Sequence, residues 1–178
     1  MVELLPLVIP EELQAEALHN FKRYHLGELK PADMPALEYF TESVRSTSGN
    51  PNAKPRIRLS IASGTYNDPN TYIHRDQETH NVKYIATIAS AIGAATVFIK
   101  SEEETDDLYF GPNALIETWV RRNPEGLYVK VPKSPVDVPW EFWQAQNSQI
   151  ARFDMDTVYH AAAMLPANTQ KILLSAIV

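Results

Sequence analysis

The chain has 178 residues, a formal net charge of -6 and a hydrophobic content of 44%. This composition is typical of one folded domain and excludes a disordered or fibrous chain. The excess of acidic residues disfavours binding to nucleic acid or to an anionic membrane. Because the chain has no cysteine, disulfides, thiolate zinc sites and iron-sulfur clusters are excluded, and any metal must be held by His, Asp or Glu.

The N-terminus carries no targeting pattern. Its short apolar run ends at Pro10 and Glu11 without a preceding basic stretch, and no later window is apolar enough to span a bilayer. We therefore expect a cytoplasmic protein without a membrane segment. The sequence leaves the oligomeric state open.

Residues 1–46 are predicted to form a helical front. Apolar residues recur at helical spacing from Pro10 to about His25, with a proline and two acids in the first turn. A second helix is predicted from near Pro31 to about Ser46. The following stretch up to Pro55, rich in Ser, Gly, Asn and Pro, is predicted to be a loop.

After this loop the hydrophobic pattern takes the period of strands. The predicted strands are Arg56–Ser63, Tyr72–His74, Val82–Ala89, Ala95–Lys100, Leu115–Val120, Leu127–Val131, Gln149–Phe153, Thr157–His160 and Lys171–Val178. Many short strands with tight turns favour a sandwich or jelly roll for residues 56–178, and no Gly-rich phosphate loop occurs. Residues 1–178 are therefore predicted to be a single domain that is mainly β with N-terminal helices.

Two histidines and an aspartate could hold a metal. His74 and Asp76 form an H-x-D triplet at the end of a predicted strand, where residues two apart project to the same face. His160 lies in a second strand pattern, far along the chain. Two histidines and one carboxylate form the facial triad that holds iron(II) with positions left open. The alternative for each histidine is a hydrogen-bonded residue without a metal.

Lys171 opens the last predicted strand, 11 residues after His160. The residues from Pro166 to Thr169 predict a turn, so Lys171 is expected to return antiparallel beside the histidine strand. Its ammonium would then face a carboxylate bound at the metal.

The order of these features resembles the iron(II)- and 2-oxoglutarate-dependent dioxygenases. The H-x-D triplet is followed by a strand, by the segment Gly93-Ala94-Ala95-Thr96-Val97-Phe98-Ile99, by a distal histidine and by a basic residue about ten positions further on. The stretch from Tyr84 to Ile99 is similar to the prolyl-hydroxylase-like branch of this superfamily, and the resemblance covers about residues 56–178. Its departures from the usual pattern are Lys171 where most members have Arg, Ala94 at the second glycine, and Leu173 where an R-x-S motif would have Ser.

The resemblance implies a double-stranded β-helix, which is a jelly roll or cupin-like barrel, with helices outside its major sheet. His74, Asp76 and His160 would be the catalytic residues that bind iron(II). Lys171 would bind the distal carboxylate of the co-substrate 2-oxoglutarate, and O2 would take the remaining position at the metal. Further contacts to 2-oxoglutarate are predicted for Tyr72, Tyr84 and Thr96.

Three more residues are predicted to contact the substrate. Arg121 and Arg122 would bind an anionic group, and the alternative is that they lie in water at a strand end. Trp140 opens an aromatic stretch that is predicted to form a loop at the mouth of the site, with a separate hydrophobic cluster as the alternative.

The residues and the resemblance together predict an oxidoreductase that hydroxylates a small molecule or an amino acid side chain. Its partner would be a small-molecule or peptide substrate, with neither nucleic acid nor membrane expected. Retention of Asp76 separates the chain from related halogenases, in which a small residue there makes room for chloride. Two alternatives stay open: a non-catalytic jelly-roll binding protein, and a cupin-type metal enzyme that does not use 2-oxoglutarate.

Overall fold

A computed structural model describes residues 1–62, 81–101, 118–122, 128–132, 140–155, 157–163 and 165–178. This part of the chain is mainly β, with antiparallel sheets and a few short helices near the N-terminus. The prediction of a mainly β chain with N-terminal helices is thus confirmed. None of the helices in these ranges is long and apolar enough to cross a bilayer.

The helices are α1 (Glu11–His19), α2 (Phe21–His25) and α3 (Pro35–Ser48), with a short 3-10 helix at Pro31–Asp33. Asn20 interrupts the first predicted helix, because its φ of -91° and ψ of 6° lie outside the helical region. Its side-chain amide donates instead to Glu16 Oε1 at 2.8 Å. Helix α3 ends at Gly49, whose φ of 68° is the left-handed conformation that favours glycine.

The strands are β1 (Val2–Val8), β2 (Lys54–Ile61), β3 (Val82–Ala89), β4 (Val97–Ser101), β5 (Thr118–Arg122), β6 (Tyr128–Pro132), β7 (Trp140–Gln144), β8 (Gln149–Asp154), β9 (Tyr159–Ala161) and β10 (Gln170–Ile177). Two of them are not among the predicted strands. β1 precedes the helices, so the front is not purely helical. β7 lies where a loop is predicted, and that prediction is wrong.

The strands form two main sheets. The large sheet has the strand order β1-β8-β3-β10-β2, and the small sheet has the order β7-β4-β9. β5 and β6 pair with each other as a separate ribbon. Because β2 and β3 both pair antiparallel with β10, they run parallel to each other. Among the described strands none joins the two sheets, so these strands do not form a closed, cupin-like barrel.

One face of the large sheet, the helix face, packs against the helices. Every second residue of its central strands enters this core, including Tyr84, Ala86, Ile88, Ile172 and Leu174. Apolar residues of the helices and of the segment before α3 cover them, and Phe21, Met34 and Phe40 among these are completely buried. Alternate residues of the strands form one apolar surface, and helically spaced residues of 11–48 form another. The two surfaces pack against each other and form the main core.

The other face of the large sheet, the inner face, packs against the small sheet. Ile85, Ala151 and Phe153 of the inner face form a second buried cluster with Phe98 of β4. The ring centroids of Phe98 and Phe153 lie 5.1 Å apart. The space between the two sheets is thus a hydrophobic core of its own, and it is the region into which a side chain on β9 or on the inner face can project.

Two side chains, one at the end of β7 and one just after it, hold the segment that joins β3 to β4. The Asn147 amide donates to Ala91 O at 2.6 Å, and its Oδ1 accepts from Ala94 N at 3.1 Å. Gln144 Nε2 donates to the carbonyls of Gly93 and Ala95 at 2.6 and 2.8 Å. These bonds satisfy backbone groups that belong to neither sheet.

Candidate metal and co-substrate site

His160 lies in β9 and is buried between the two sheets, with 5% of its surface exposed. Its backbone pairs with that of Phe98, so the two side chains project from the same face of the small sheet. The imidazole centroid lies 4.9 Å from that of Phe153 on the large sheet. The histidine is therefore held between aromatic rings in the inter-sheet core.

The two nitrogens of His160 have different roles. Nδ1 lies 3.2 Å from the carbonyl oxygen of Val158. Because a carbonyl only accepts, Nδ1 is the protonated nitrogen in this contact, and in the neutral ring Nε2 then carries the lone pair. A backbone carbonyl bound to one nitrogen is a common way of orienting a metal-binding histidine.

Lys171 is the second buried polar residue of the predicted site, with 9% of its surface exposed. It pairs with Ala89 of β3 on one side and with Ser60 of β2 on the other. In β10 it has the same side-chain direction as Leu173, which packs on the inner-face cluster. Lys171 therefore belongs to the inner face.

The prediction that Lys171 returns beside the histidine strand is wrong. The predicted turn does form, since Thr169 N donates to Pro166 O at 3.2 Å. However, this turn leads from the small sheet into the large sheet, where β10 pairs with β2 and β3. The physical reason is the composition of β10: its residues alternate between two apolar cores, so it is stable only as a central strand covered on both faces.

Tyr84 and Thr96 occupy different surroundings. Tyr84 is 2% exposed and packs in the core between the helices and the helix face. It therefore lies on the opposite side of the large sheet from Lys171, and the structure does not bring the two together. Thr96 is 7% exposed and directly precedes Val97, which pairs with Ala161 beside His160. Its backbone is thus adjacent to the histidine strand.

Tyr72, His74 and Asp76 lie outside the described residues, so the predicted triad stays a prediction. The chain is described up to Ala62, whose N donates to Thr169 O at 2.9 Å, and again from Asn81, whose carbonyl accepts from Met155 N at 3.1 Å. Within the part of the chain that the structure describes, no group of three His, Asp or Glu could hold a metal.

The predicted substrate contacts lie in strands. Arg121 and Arg122 are the last two residues of β5 and pair with Val129 and Tyr128. Trp140 begins β7 and pairs with Ser101 of β4. The loop prediction fails at Trp140 because aromatic residues favour strands and the edge of β4 offers a partner.

Two buried hydroxyls complete the region, and neither is singled out by the sequence. Thr87 and Ser148 are 1% and 0% exposed, and neither Oγ has a hydrogen-bond partner among the described residues. Thr87 pairs with Leu173 and so lies on the inner face. The signal that could have found Thr87 is its place in the strand alternation, because it is the one polar residue between Ile85 and Ala89.

Comparisons of this chain with protein-family models, with curated proteins and with solved structures found no match. The function must therefore be inferred from the residues of the site. Its described part supplies a buried imidazole from the small sheet and a buried ammonium from the large sheet. An imidazole suits a metal, and a buried cation is stable only beside an anion or other polar partner.

Proposed function

We propose that this protein is an iron(II)- and 2-oxoglutarate-dependent dioxygenase that hydroxylates a small molecule or an amino acid side chain. The proposal includes a jelly-roll fold in which His74, Asp76 and His160 bind the metal and Lys171 binds the co-substrate. The observation that carries it is the order of the strands in the two sheets.

Jelly rolls contain eight antiparallel strands in two sheets. When a long antiparallel ribbon is wrapped in this way, the first strand pairs with the eighth and the third with the sixth in one sheet. The second then pairs with the seventh and the fourth with the fifth in the other sheet. From β2 onwards, without the β5–β6 ribbon, the structure describes seven strands. If the second of eight positions is reserved for the chain between β2 and β3, then β3 is the third strand, and the pairs β2 with β10, β3 with β8 and β4 with β7 follow this order.

In the same order, β9 is the seventh strand and its partner is the second. That partner would come from the chain between β2 and β3, which contains His74 and Asp76. The H-x-D triplet would then lie on the strand next to His160. Two imidazoles and a carboxylate on adjacent strands are the ligand set of a facial triad, so the strand order supports the metal site proposed from the sequence.

The environment of His160 also fits a metal ligand. Its Nδ1 donates to the Val158 carbonyl and its ring packs against Phe153, which together fix the direction of Nε2. Asp76 would supply the anionic ligand that a hard dication requires. When bound, iron(II) supplies the redox chemistry that couples oxidation of 2-oxoglutarate to hydroxylation of the substrate.

Lys171 fits the anion-binding role. Stacked sheets lie about 10 Å apart, so a lysine on the inner face can extend its ammonium into the space between them. There it would hold the distal carboxylate of 2-oxoglutarate and leave the keto acid end to approach the metal. The rings of Phe98 and Phe153 exclude water from the same space, which strengthens the attraction between the ammonium and the carboxylate.

The metal site is tested by measuring binding and turnover separately. Manganese(II) is a suitable probe because oxygen and nitrogen sites bind several divalent ions. We expect His160→Ala and Asp76→Ala to weaken manganese binding by about 100-fold or more and to abolish succinate release from 2-oxoglutarate in the presence of iron(II) and ascorbate. His25→Ala, at an exposed histidine, is the control and should change neither. Unchanged manganese affinity in His160→Ala would contradict the proposal.

Lys171→Ala tests the co-substrate site. It should weaken 2-oxoglutarate binding by about 2 kcal/mol, or about 30-fold, and leave manganese affinity nearly unchanged. Lys54→Ala, at an exposed cation of β2, is the matched control. If the wild type binds manganese but neither binds nor converts 2-oxoglutarate, the cupin-type alternative is favoured. If it binds no metal, the non-catalytic binding protein is favoured.

A further inference from the structure

Strand β2 forms an open edge of the large sheet. It is the last strand in the order of that sheet, so β10 is its one partner among the described strands. The pairing with β10 runs from Lys54 to Ile61 without a register shift. The opposite edge of the sheet is less regular, because β1 contains Pro6 and its register shifts. A long and regular edge such as β2 offers a template for a further strand.

The hydrogen bonds of β2 show which of its backbone groups point away from β10. Ala62 N donates to Thr169 O at 2.9 Å, so the backbone of Ala62 faces the β10 side. Because this direction alternates along an antiparallel strand, the backbone groups of Ile57, Leu59 and Ile61 face outward. Each of these residues offers one N–H and one carbonyl, and no strand lies opposite them in the described part of the chain.

The exposed charged side chains of this edge are all cations. Lys54, Arg56 and Arg58 are exposed, and their spacing of two places them on one face of the strand. Arg58 already makes an interaction of its own, so the argument for a ligand rests on Lys54 and Arg56. The chain as a whole has a net charge of -6, yet residues 43–67 contain no Asp or Glu. The edge is therefore a local positive surface on an acidic protein.

The opposite face of the same edge is apolar. Ile57 and Leu59 are half-buried and pack against the core on the helix face. Ile61 continues this row and is 47% exposed. A strand that pairs with β2 would therefore meet cations on one of its faces and apolar side chains on the other.

We infer that β2 binds an extended acidic segment of another protein, which joins the large sheet as a further strand. Such a segment alternates Asp or Glu with Val, Ile or Leu, because successive side chains of a strand point to opposite faces. The outward backbone groups of Ile57, Leu59 and Ile61 hold its main chain, and its acids lie across from Lys54 and Arg56. The inference does not depend on the proposed function.

Charge and backbone pairing select this partner over two others. A second copy of β2 would bring like charges side by side, which is unfavourable. A single-stranded nucleic acid is anionic, but it has no peptide groups with which to continue the ladder. It would leave the outward N–H and carbonyl of Leu59 without a strand and would not match the apolar row that ends at Ile61.

The test measures peptide binding to the full chain in the absence of metal and of 2-oxoglutarate. The probe is a fluorescent peptide of about eight residues in which Glu and Val alternate. A second peptide has Lys in place of each Glu, and a third keeps the Glu side chains but has methylated backbone nitrogens. A single-stranded oligonucleotide is the fourth probe. Binding is followed by fluorescence anisotropy, and a thermal melt is recorded for each variant.

The wild type should bind the Glu peptide at least about tenfold more tightly than any of the other three probes. Arg56→Glu should weaken binding of the Glu peptide about tenfold and strengthen binding of the Lys peptide. Lys30→Glu, at an exposed cation outside the sheet, makes the same change in net charge and should alter neither.

Ile61→Pro tests the backbone ladder. It removes an outward N–H and keeps the pairing with β10, because proline is tolerated at such a position of an edge strand. We expect it to melt near the wild-type temperature and to bind the Glu peptide about tenfold more weakly. Ile61→Val keeps the N–H and an apolar side chain, so it should bind as the wild type does. The methylated peptide tests the same ladder without any change to the protein.

Three results would overturn the inference. Equal binding of the Glu and Lys peptides would show that the edge does not select acids. Equal binding of the Glu peptide and its methylated form would show that the backbone of β2 is not used. Binding of the oligonucleotide as tight as that of the Glu peptide would show a general surface for polyanions. Because metal and co-substrate are absent, none of these results bears on the proposed dioxygenase activity.

Discussion

Individual polar residues in this protein are buried in quite different ways. Nδ1 of His160 is satisfied by the Val158 carbonyl, whereas Thr87 has no partner within the described chain. Burial of a polar group is unfavourable unless a hydrogen bond compensates for the lost water. A ligand that supplies the missing hydrogen bond would therefore stabilise the fold most at a position such as Thr87.

Tyr24 in α2 allows a pH-dependent test at the scale of one residue. Burial, followed by its hydrogen bond to Glu16 and the charge of that carboxylate, raises the pKa of the Tyr24 phenol above its usual value. A phenol of this kind stabilises the fold fully below its unfolded pKa near 10, and the contribution is lost as pH rises through the folded pKa. We expect the wild type to lose free energy of unfolding above pH 10 more steeply than Tyr24→Phe does.

Urea unfolding of both proteins on either side of pH 10 measures this difference. Glu16→Gln keeps an acceptor near the phenol and removes the charge, so its alkaline loss should be smaller than that of the wild type. Identical pH dependence in the wild type and in Tyr24→Phe would show that the phenol titrates alike in both states.

Whole elements could be predicted where one pattern dominates. β3 has the predicted bounds, since most of its residues are apolar or β-branched and only Lys83 is charged. β1 is missed because Pro6 stands within it, yet proline is tolerated in an edge strand whose register shifts between Leu4 and Val8. β7 is missed because the prolines before it indicate a loop. Its pairing with β4 depends on residues distant in sequence.

The site could be predicted from the sequence only in part, for a related reason. Residue types and spacing single out His160 and Lys171, and both are buried in the structure. Side-chain direction depends on which strands pair, and pairing is a property of the whole sheet. This is why the sequence does not reveal that Tyr84 lies on the helix face of the large sheet or that the hydroxyl of Thr87 is buried on the inner face.

The connection between β3 and β4 offers a test at the scale of an element. Asn147→Ala removes two hydrogen bonds to this segment, those with Ala91 O and Ala94 N. We expect the free energy of unfolding to fall by about 1 to 3 kcal/mol, because backbone groups lose their partners. Asn52→Ala, in an exposed turn, is the control and should cost less than about 0.5 kcal/mol in the same denaturant titration. Equal losses of free energy in Asn147→Ala and Asn52→Ala would contradict the conclusion that Asn147 stabilises the segment between β3 and β4.

At the scale of the whole molecule, two cores share one sheet. Phe40 lies in the core on the helix face and Phe153 in the core on the inner face, and both are 0% exposed. Because β3, β8 and β10 contribute to both cores, neither core can lose its packing without disturbing the other. The two cores should therefore unfold in one cooperative transition.

This expectation is tested with Phe40→Leu, Phe153→Leu and the double variant. Each single change should lower the free energy of unfolding by about 1 kcal/mol, and the two losses should add, since the residues lie on opposite sides of the large sheet. Circular dichroism of the backbone and fluorescence of the tryptophans should give coincident transitions. A separate transition in one signal would contradict a shared cooperative unit.

The central position of β10 has a consequence for synthesis in the cell. β2 and β3 are its neighbours in the large sheet, but the ribosome makes them long before it reaches residues 170–177. At about 5 to 20 residues per second, the nascent chain spends several seconds in which β2 and β3 exist but β10, which pairs with both, has not yet been made. Their open edges are surfaces on which neighbouring nascent chains can aggregate. We therefore expect yield in the cell to depend on chaperones and on translation rate, whereas the stability of the finished protein depends on its two cores.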